Sequence, residues 1–165
     1  QLPILSNEDI ETMNTWLSNW MKREIELQQS TKITHIEEKI DFEFGKVSFT
    51  GKIDRVERDS TGSVTLVDFK TSKKESKPGS SPGDAQLILY AHAWSEKHGN
   101  LPDYVAYDNV RHNERVPIKI NPTIVQRELS NLLGPLSNLI SGDKNSNPGF
   151  HCSWCDFKSI CPDKK

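Results

Sequence analysis

Two aspartates and one lysine have the residue types and the spacing of a site for metal-assisted hydrolysis. Asp68 and Lys70 lie two residues apart in the strand-like stretch SVTLVDFKT, so their side chains point to the same face. Asp54 lies earlier, on what we interpret as the neighbouring strand. Two carboxylates repel each other unless a cation separates them, and Mg²⁺ is typically held by one or two carboxylates together with water and phosphate oxygens. The trio is therefore typical of phosphodiester hydrolysis, with Lys70 orienting the attacking water or stabilising charge on the phosphate.

An ordinary structural role is the alternative for these residues. An Asp and a Lys two positions apart are common on a solvated strand face or in a simple ion pair. Asp68 and Lys70, however, interrupt the apolar run of SVTLVDFKT. Charged residues inside a buried strand need a partner or a function, which favours the site interpretation.

Hydrophobic periodicity predicts three helices and five strands around this trio. The predicted helices cover residues 7–29, 84–98 and 122–141, and the predicted strands cover residues 33–44, 47–57, 63–71, 103–110 and 114–120. Asn7 and Asp84 are the expected caps of the first two helices, and Gly99 is expected to end the second. The apolar stripe of the first helix, with Trp16 and Trp20, is expected to pack in the core. The order predicts an α/β fold, a central mixed sheet flanked by helices.

Length and charge restrict the function classes. The chain has 165 residues, enough for one domain with a real core. Its 21 basic and 23 acidic residues give a net charge of −2, which excludes a strongly basic, charge-driven nucleic-acid binder and an acidic tail protein. No run of 18 apolar residues and no signal peptide is visible, so we expect no membrane association and a cytoplasmic location. Because the chain starts at Gln1 rather than Met, we expect it to be a fragment or a processed chain.

Three short strings of the sequence carry a resemblance to a known family. GKIDRV, LVDFKT and QLILY, in this order, resemble the motifs of the RecB-like branch of the PD-(D/E)xK nucleases. The resemblance implies a restriction-endonuclease-like core, and it makes Asp54, Asp68 and Lys70 the catalytic residues. Gln86 and Tyr90, four apart on one helix face, match the family's helix motif and would support the phosphate or the water network. Ordinary packing is the alternative for that pair.

The resemblance also implies a further acidic ligand on the preceding strand. Family members often carry an acid there, and two neighbouring glutamates are available in ITHIEEKIDFEF. Glu38 is the better placed candidate, because Glu37 alternates to the other face. The expected metal ligands are therefore Glu38, Asp54 and Asp68, binding one or two Mg²⁺ or Mn²⁺ ions.

The cysteines suggest a second metal feature. Cys152, Cys155 and Cys161 crowd the end of the chain, an odd number that makes a poor disulfide framework. They resemble the C-terminal clasp of iron–sulfur nucleases in this branch, such as the AddB subunit, in which a fourth cysteine upstream completes the ligands of a [4Fe–4S] cluster. No fourth cysteine is present here. A zinc site with His151, a reduced cluster without metal, and a zinc-binding interaction domain remain the alternatives.

The combined expectation is a metal-dependent DNA nuclease that works with a helicase. We expect residues 1–165 to form one nuclease domain, with an N-terminal helix at 7–29, a catalytic core at 33–141 and a cysteine clasp at 148–165. The resemblance implies DNA as substrate, a UvrD-type helicase domain or subunit as partner, and a role in recombination or repair. A non-catalytic DNA-binding or scaffolding module with the same fold is the alternative. Lysines in the predicted loop 72–84 would touch the DNA backbone or only solvate the loop, and the net charge predicts weak binding without a partner.

Overall fold

The fold is a five-stranded mixed sheet with helices on both faces. The computed structural model describes residues 6–75, 85–142, 146 and 148–163. Its helices are α1 (Asn7–Leu27), α2 (Ala85–His98) and α3 (Pro122–Ile140), and its strands are β1 (Thr31–Phe44), β2 (Val47–Asp59), β3 (Val64–Lys70), β4 (Tyr104–Asn109) and β5 (Glu114–Lys119). The strands lie in the order β1-β2-β3-β4-β5, with β3 and β4 parallel and the other neighbours antiparallel. The predicted α/β class and mixed sheet are confirmed.

The first helix begins at Asn7 as predicted, but its cap lies one residue earlier and its end two residues earlier, at Leu27. Ser6, not Asn7, is the cap: its hydroxyl accepts a hydrogen bond from the Asp9 backbone N–H at 3.1 Å, and the Asp9 carboxylate accepts one from the Ser6 backbone N–H at 3.0 Å. This reciprocal pair is a capping box, which satisfies two backbone donors that Asn7 could not reach together. The core prediction for the stripe of α1 was partly wrong, since Ile10 and Met21 are exposed while Trp20 is half-buried.

The β1–β2 hairpin turns over two residues, as the sequence indicated. Gly45 and Lys46 both have positive φ values, 57° and 65°, and the flanking residues Phe44 and Val47 pair directly. Such a turn matches the twist of the two strands. The hairpin is long, and its turn lies against α3, where Gly45 approaches Leu133 and Leu136.

The core lies between the sheet and α2. Ile53, Leu66, Leu87 and Val105 are fully buried there, and Val125 of α3 joins the same cluster. Helix α2 connects the parallel strands β3 and β4 and ends at Gly99, whose φ of 80° confirms its predicted role. We call the sheet face under α2 the site face, and the opposite face, which α1 covers, the back face.

Some predicted features lie outside the described residues. These include the proposed cap Asp84 and residues 76–84 of the predicted loop.

Helix α3 confirms the predicted third helix and is capped by Asn121, whose side chain accepts a hydrogen bond from the Ile124 backbone N–H at 2.9 Å. No helix in the described part of the chain is both long enough and apolar enough to cross a membrane.

Candidate active site

Asp54 lies where β2 and β3 separate. The ladder between these strands runs from Arg58 to Arg55 and does not include Asp54. Instead, the Asp54 carboxylate accepts a hydrogen bond from the Phe69 backbone N–H at 2.8 Å. The side chain therefore replaces a backbone carbonyl as the acceptor and fills the gap between the two strands.

The alternation of β2 breaks at the same residue. Ile53 and Val56 both belong to the core on the site face, although residues three apart in a regular strand face opposite sides. The neighbouring strand is irregular at the matching point, since Glu37 has a φ of 50°. Glu37 lies opposite Asp54, between the paired residues on either side. The two strands keep their register across this point, so the irregularity changes which face the following side chains take without inserting a residue.

Asp68, Lys70, Gln86 and Tyr90 form one connected chain of polar contacts. Lys70 Nζ lies 2.6 Å from an Asp68 carboxylate oxygen and donates a hydrogen bond to Gln86 Oε1 at 3.0 Å. Gln86 Nε2 in turn donates to the Tyr90 hydroxyl at 2.9 Å. Asp68 is 3% exposed, whereas Lys70 and Gln86 are half-buried. Four of the predicted site residues are thus brought together at the end of β3 and the start of α2.

The electrostatics tie Asp54 to this chain. Burial raises the pKa of Asp68 above its usual value; Lys70 acts to lower that pKa, and the Asp54 charge raises it further. Burial also raises the pKa of Tyr90; the hydrogen bond from Gln86 opposes this rise, and the charges of Asp68 and Asp54 add to it. Two carboxylates and one ammonium therefore share a partly desolvated site with a surplus of negative charge.

This donor set fits a hard divalent cation. Mg²⁺ uses one or two protein carboxylates and completes its coordination with water and substrate phosphate oxygens, so two aspartates are sufficient. A bound cation would also offset the burial and the Asp54 charge that together raise the pKa of Asp68. No group of three His, Cys, Asp or Glu side chains that could hold a metal is present in residues 6–75, 85–142, 146 and 148–163. The protein ligands available here are therefore the two aspartates.

Glu38 is not brought into this group. Its carboxylate lies 2.6 Å from Lys97 Nζ and 3.9 Å from His98 Nε2. Lys97 lies eleven residues after Gln86, about three helical turns further along α2. Glu38 faces α2 together with Ile40, as alternation predicted, but it lies on the edge strand β1, opposite Ile53 of β2. The structure thus pairs Glu38 with the far end of α2.

Tyr107 is a site residue that sequence reasoning missed. The parallel register of β3 and β4 places it directly beside Asp68, and its buried ring lies 5.3 Å from Lys70 Nζ. A cation over an aromatic face is attracted by the ring. This contact helps to hold the ammonium in place. No sequence signal marks Tyr107, because its position depends on the register between two strands that α2 separates.

A buried network of charges behind the site was also missed. On the back face, Arg55 bonds to Glu24 of α1 and lies 2.6 Å from Glu57. Its guanidinium also lies over the Phe69 ring, 4.9 Å from the centroid. Phe69 donates its backbone N–H to Asp54, so the network supports both residues that flank the strand gap. Burial acts to lower the pKa of Arg55, but Glu24 and Glu57 raise it above its ordinary value.

The network continues to β4 and β5. Asp108 is fully buried and bonds to Arg23 of α1, and the Trp20 indole N–H donates to the same carboxylate at 3.2 Å. Arg115 contacts Glu57 at 2.5 Å. Burial raises the pKa of Asp108, and the Arg23 charge acts in the opposite direction. Three arginines and three carboxylates share the back face.

The cysteines do not gather into a metal site. Cys152, Cys155 and Cys161 are free and half-buried, and no three metal-ligating side chains come together in the described parts of the chain. Cys152 accepts a hydrogen bond from the Gly149 backbone N–H at 3.4 Å, which keeps the thiol within its own turn. The predicted [4Fe–4S] clasp therefore stays a prediction, since the described residues show no set of ligands for it.

Comparisons with known proteins agree with the geometry. The model of the PD-(D/E)XK nuclease superfamily matches residues 7–162. A solved structure from Eubacterium rectale, described as "Putative exonuclease", matches with a TM-score of 0.61 and 12% identity over 96% of this chain and 63% of that one. A second, described as SSO0001, has a TM-score of 0.46 and 20% identity over 82% and 62% of the two chains. This chain thus spans less than two thirds of either structure. No curated protein matches.

Proposed function

Because this chain belongs to the PD-(D/E)XK nuclease superfamily, we propose that it is a metal-dependent DNA nuclease whose active site is the group Asp54, Asp68 and Lys70. The observation that carries the proposal is the convergence of these three residues with Gln86 and Tyr90 at the end of β3. Nucleases of this superfamily generally use divalent metals, and the aspartate pair has the charge and the oxygen donors that such an ion needs.

Each residue of the group has a task that its contacts support. Asp54 and Asp68 would hold the divalent ion, which, when bound, acidifies water and withdraws charge from the phosphate. Lys70 is held between Asp68 and Gln86, so its ammonium is presented at a fixed position to the attacking water or to a phosphate oxygen. The Gln86 amide orients Lys70 and is itself oriented by the Tyr90 hydroxyl.

The biological setting is part of the proposal. The resemblance of GKIDRV, LVDFKT and QLILY to the RecB-like branch supports work beside a helicase domain or subunit in recombination or repair, in the cytoplasm. The net charge of −2 supports the same view, since a chain without net positive charge gains from a partner that delivers the DNA.

Cleavage of labelled DNA tests the proposal. We expect cutting of single-stranded or duplex DNA in Mn²⁺ or Mg²⁺, no cutting with a chelator, and a loss of about 100-fold or more in Lys70→Ala. Lys52→Ala is the matched control, because Lys52 is an exposed lysine on β2 that pairs with Glu37. We expect it to keep full activity.

Two results would contradict the proposal in different ways. A folded wild-type chain that binds DNA without cutting it in either metal would indicate the non-catalytic DNA-binding module. Equal cutting by the wild type and Lys70→Ala would instead remove Lys70 from the mechanism. Thermal unfolding of each variant shows whether a loss of activity is a loss of fold.

A further inference from the structure

An apolar pocket adjoins the proposed active site. It lies between the inner face of the β1–β2 hairpin and α2, with a volume of about 280 Å³. Its walls include Ile40, Phe42, Phe49, Gly51, Leu89 and Tyr90. Phe42 and Phe49 are stacked, with ring centroids 5.2 Å apart and an interplanar angle of 13°. The pocket thus offers flat aromatic and aliphatic surface and little hydrogen-bonding capacity.

The missing side chain of Gly51 leaves room for this pocket. A Cβ at this position would lie 3.7 Å from Ile40 Cγ1 and 3.7 Å from Tyr90 Cε1, which are ordinary contact distances. Gly51 does not have a positive φ, so neither its backbone conformation nor a steric clash requires glycine. A glycine inside a strand weakens it and often marks a place where a ligand approaches closely.

The pocket is continuous with the catalytic group. Gln86 and Tyr90 line it, and the same two side chains connect through hydrogen bonds to Lys70. A group that fills the pocket therefore lies next to the position of the reacting phosphate. The bases are the planar groups of a nucleic acid, and their faces are largely apolar. The base nearest to a phosphate belongs to an adjoining nucleotide.

We propose that this pocket binds one unstacked nucleobase next to the phosphodiester that is cleaved. This inference rests on the proposed nuclease function and adds a specificity site to it. The volume is at the small end of ligand pockets, which suits a single base. Because the lining is aromatic and aliphatic, it stacks on any base without reading its edge, so the pocket selects an unpaired nucleotide without selecting a sequence.

An abasic substitution and a pocket-filling variant test the site together. The substrates are single-stranded oligonucleotides, intact or lacking one base beside the cleaved bond. We expect the wild type to cut the abasic substrate with a kcat/KM lower by roughly 5- to 150-fold, the range for loss of one base–aromatic stack. Gly51→Val, which fills the pocket, should lower kcat/KM on the intact substrate by a similar factor. On the abasic substrate, its kcat/KM should stay close to that of the wild type. Gly51→Ala should lie between, and Lys52→Val, on the same strand, should cut like the wild type.

A binding measurement separates this proposal from the nuclease proposal. Fluorescence of 2-aminopurine placed at the same position reports stacking of that base whether or not the strand is cut. Binding-induced quenching that Gly51→Val and Phe49→Leu both reduce supports the pocket even if no cleavage occurs. If cleavage proceeds but both substrates are cut equally, and quenching does not change in either variant, the pocket is not a base site. Phe49→Leu also covers the case in which Gly51→Val does not fold.

Discussion

The two faces of the sheet carry groups of charged residues that differ in their charge balance. On the site face, two carboxylates share one ammonium, so the group keeps a surplus of negative charge. On the back face, three arginines meet three carboxylates in direct pairs. Neighbouring residues in the sequence lie on opposite faces. Asp54 on the site face precedes Arg55 on the back face, and Phe69 on the back face separates Asp68 from Lys70 on the site face. The comparison supports the proposal that the group with surplus negative charge binds a cation, whereas the balanced group on the back face supports the same strands from behind.

Removal of Arg55 should give the largest effect on stability. Arg55→Met leaves Glu24 buried without its cation, while Glu57 keeps Arg115, and breaking a buried ion pair in this way costs about 3–5 kcal/mol. Urea unfolding measures the change in the free energy of unfolding. Lys52→Met is the control on the same strand, because its exposed pair with Glu37 should contribute about 1 kcal/mol or less. Equal costs for the two variants would show that the back face does not act as a support.

The same kind of change on the site face should affect activity instead of stability. Asp68→Asn should lower DNA cleavage by about 100- to 1000-fold, since it removes a metal ligand and the partner of Lys70. Because burial and the Asp54 charge raise the pKa of Asp68, its ionised form is destabilised in the folded protein. The neutral amide should therefore keep or raise the melting temperature at pH 7. A melting temperature several degrees lower would mean that the ion pair with Lys70 outweighs the burial of the charge.

The sequence is most informative where function depends on local spacing. Alternation within β3 is enough to predict that Asp68 and Lys70 share a face, and helical spacing is enough to join Gln86 and Tyr90. These contacts are present in the structure. They are predictable because strand and helix periodicity alone fixes which side chains are neighbours.

The missed features depend on contacts between distant segments. Both strands change the face of their inward side chains at Glu37 and Asp54, and periodicity cannot show such a break. Tyr107 reaches Lys70 only through the parallel register of β3 and β4. The back-face charges are spread from Arg23 to Arg115, and each by itself resembles a solvated surface residue. Only the packing of α1 on the sheet shows that they are buried together.

The Glu38→Gln variant should give the smallest effect. It decides whether Glu38 belongs to the ion pair with Lys97 or to the metal ligands. Its hydrogen bond with Lys97 lowers its pKa below the ordinary value of 4.5, although burial acts in the opposite direction. The pair therefore adds stability above about pH 4.5 that is lost as the pH falls through the lowered pKa, and Glu38→Gln should remove this dependence. Since Lys97 is about half exposed, the contribution should stay below about 1 kcal/mol. Acid unfolding and cleavage assays on the same variant decide the question. An ion pair alone predicts cleavage within a few-fold of the wild type, whereas a metal ligand predicts a loss approaching that of Asp68→Asn. The second result would require the carboxylate to leave Lys97 when the metal and DNA bind.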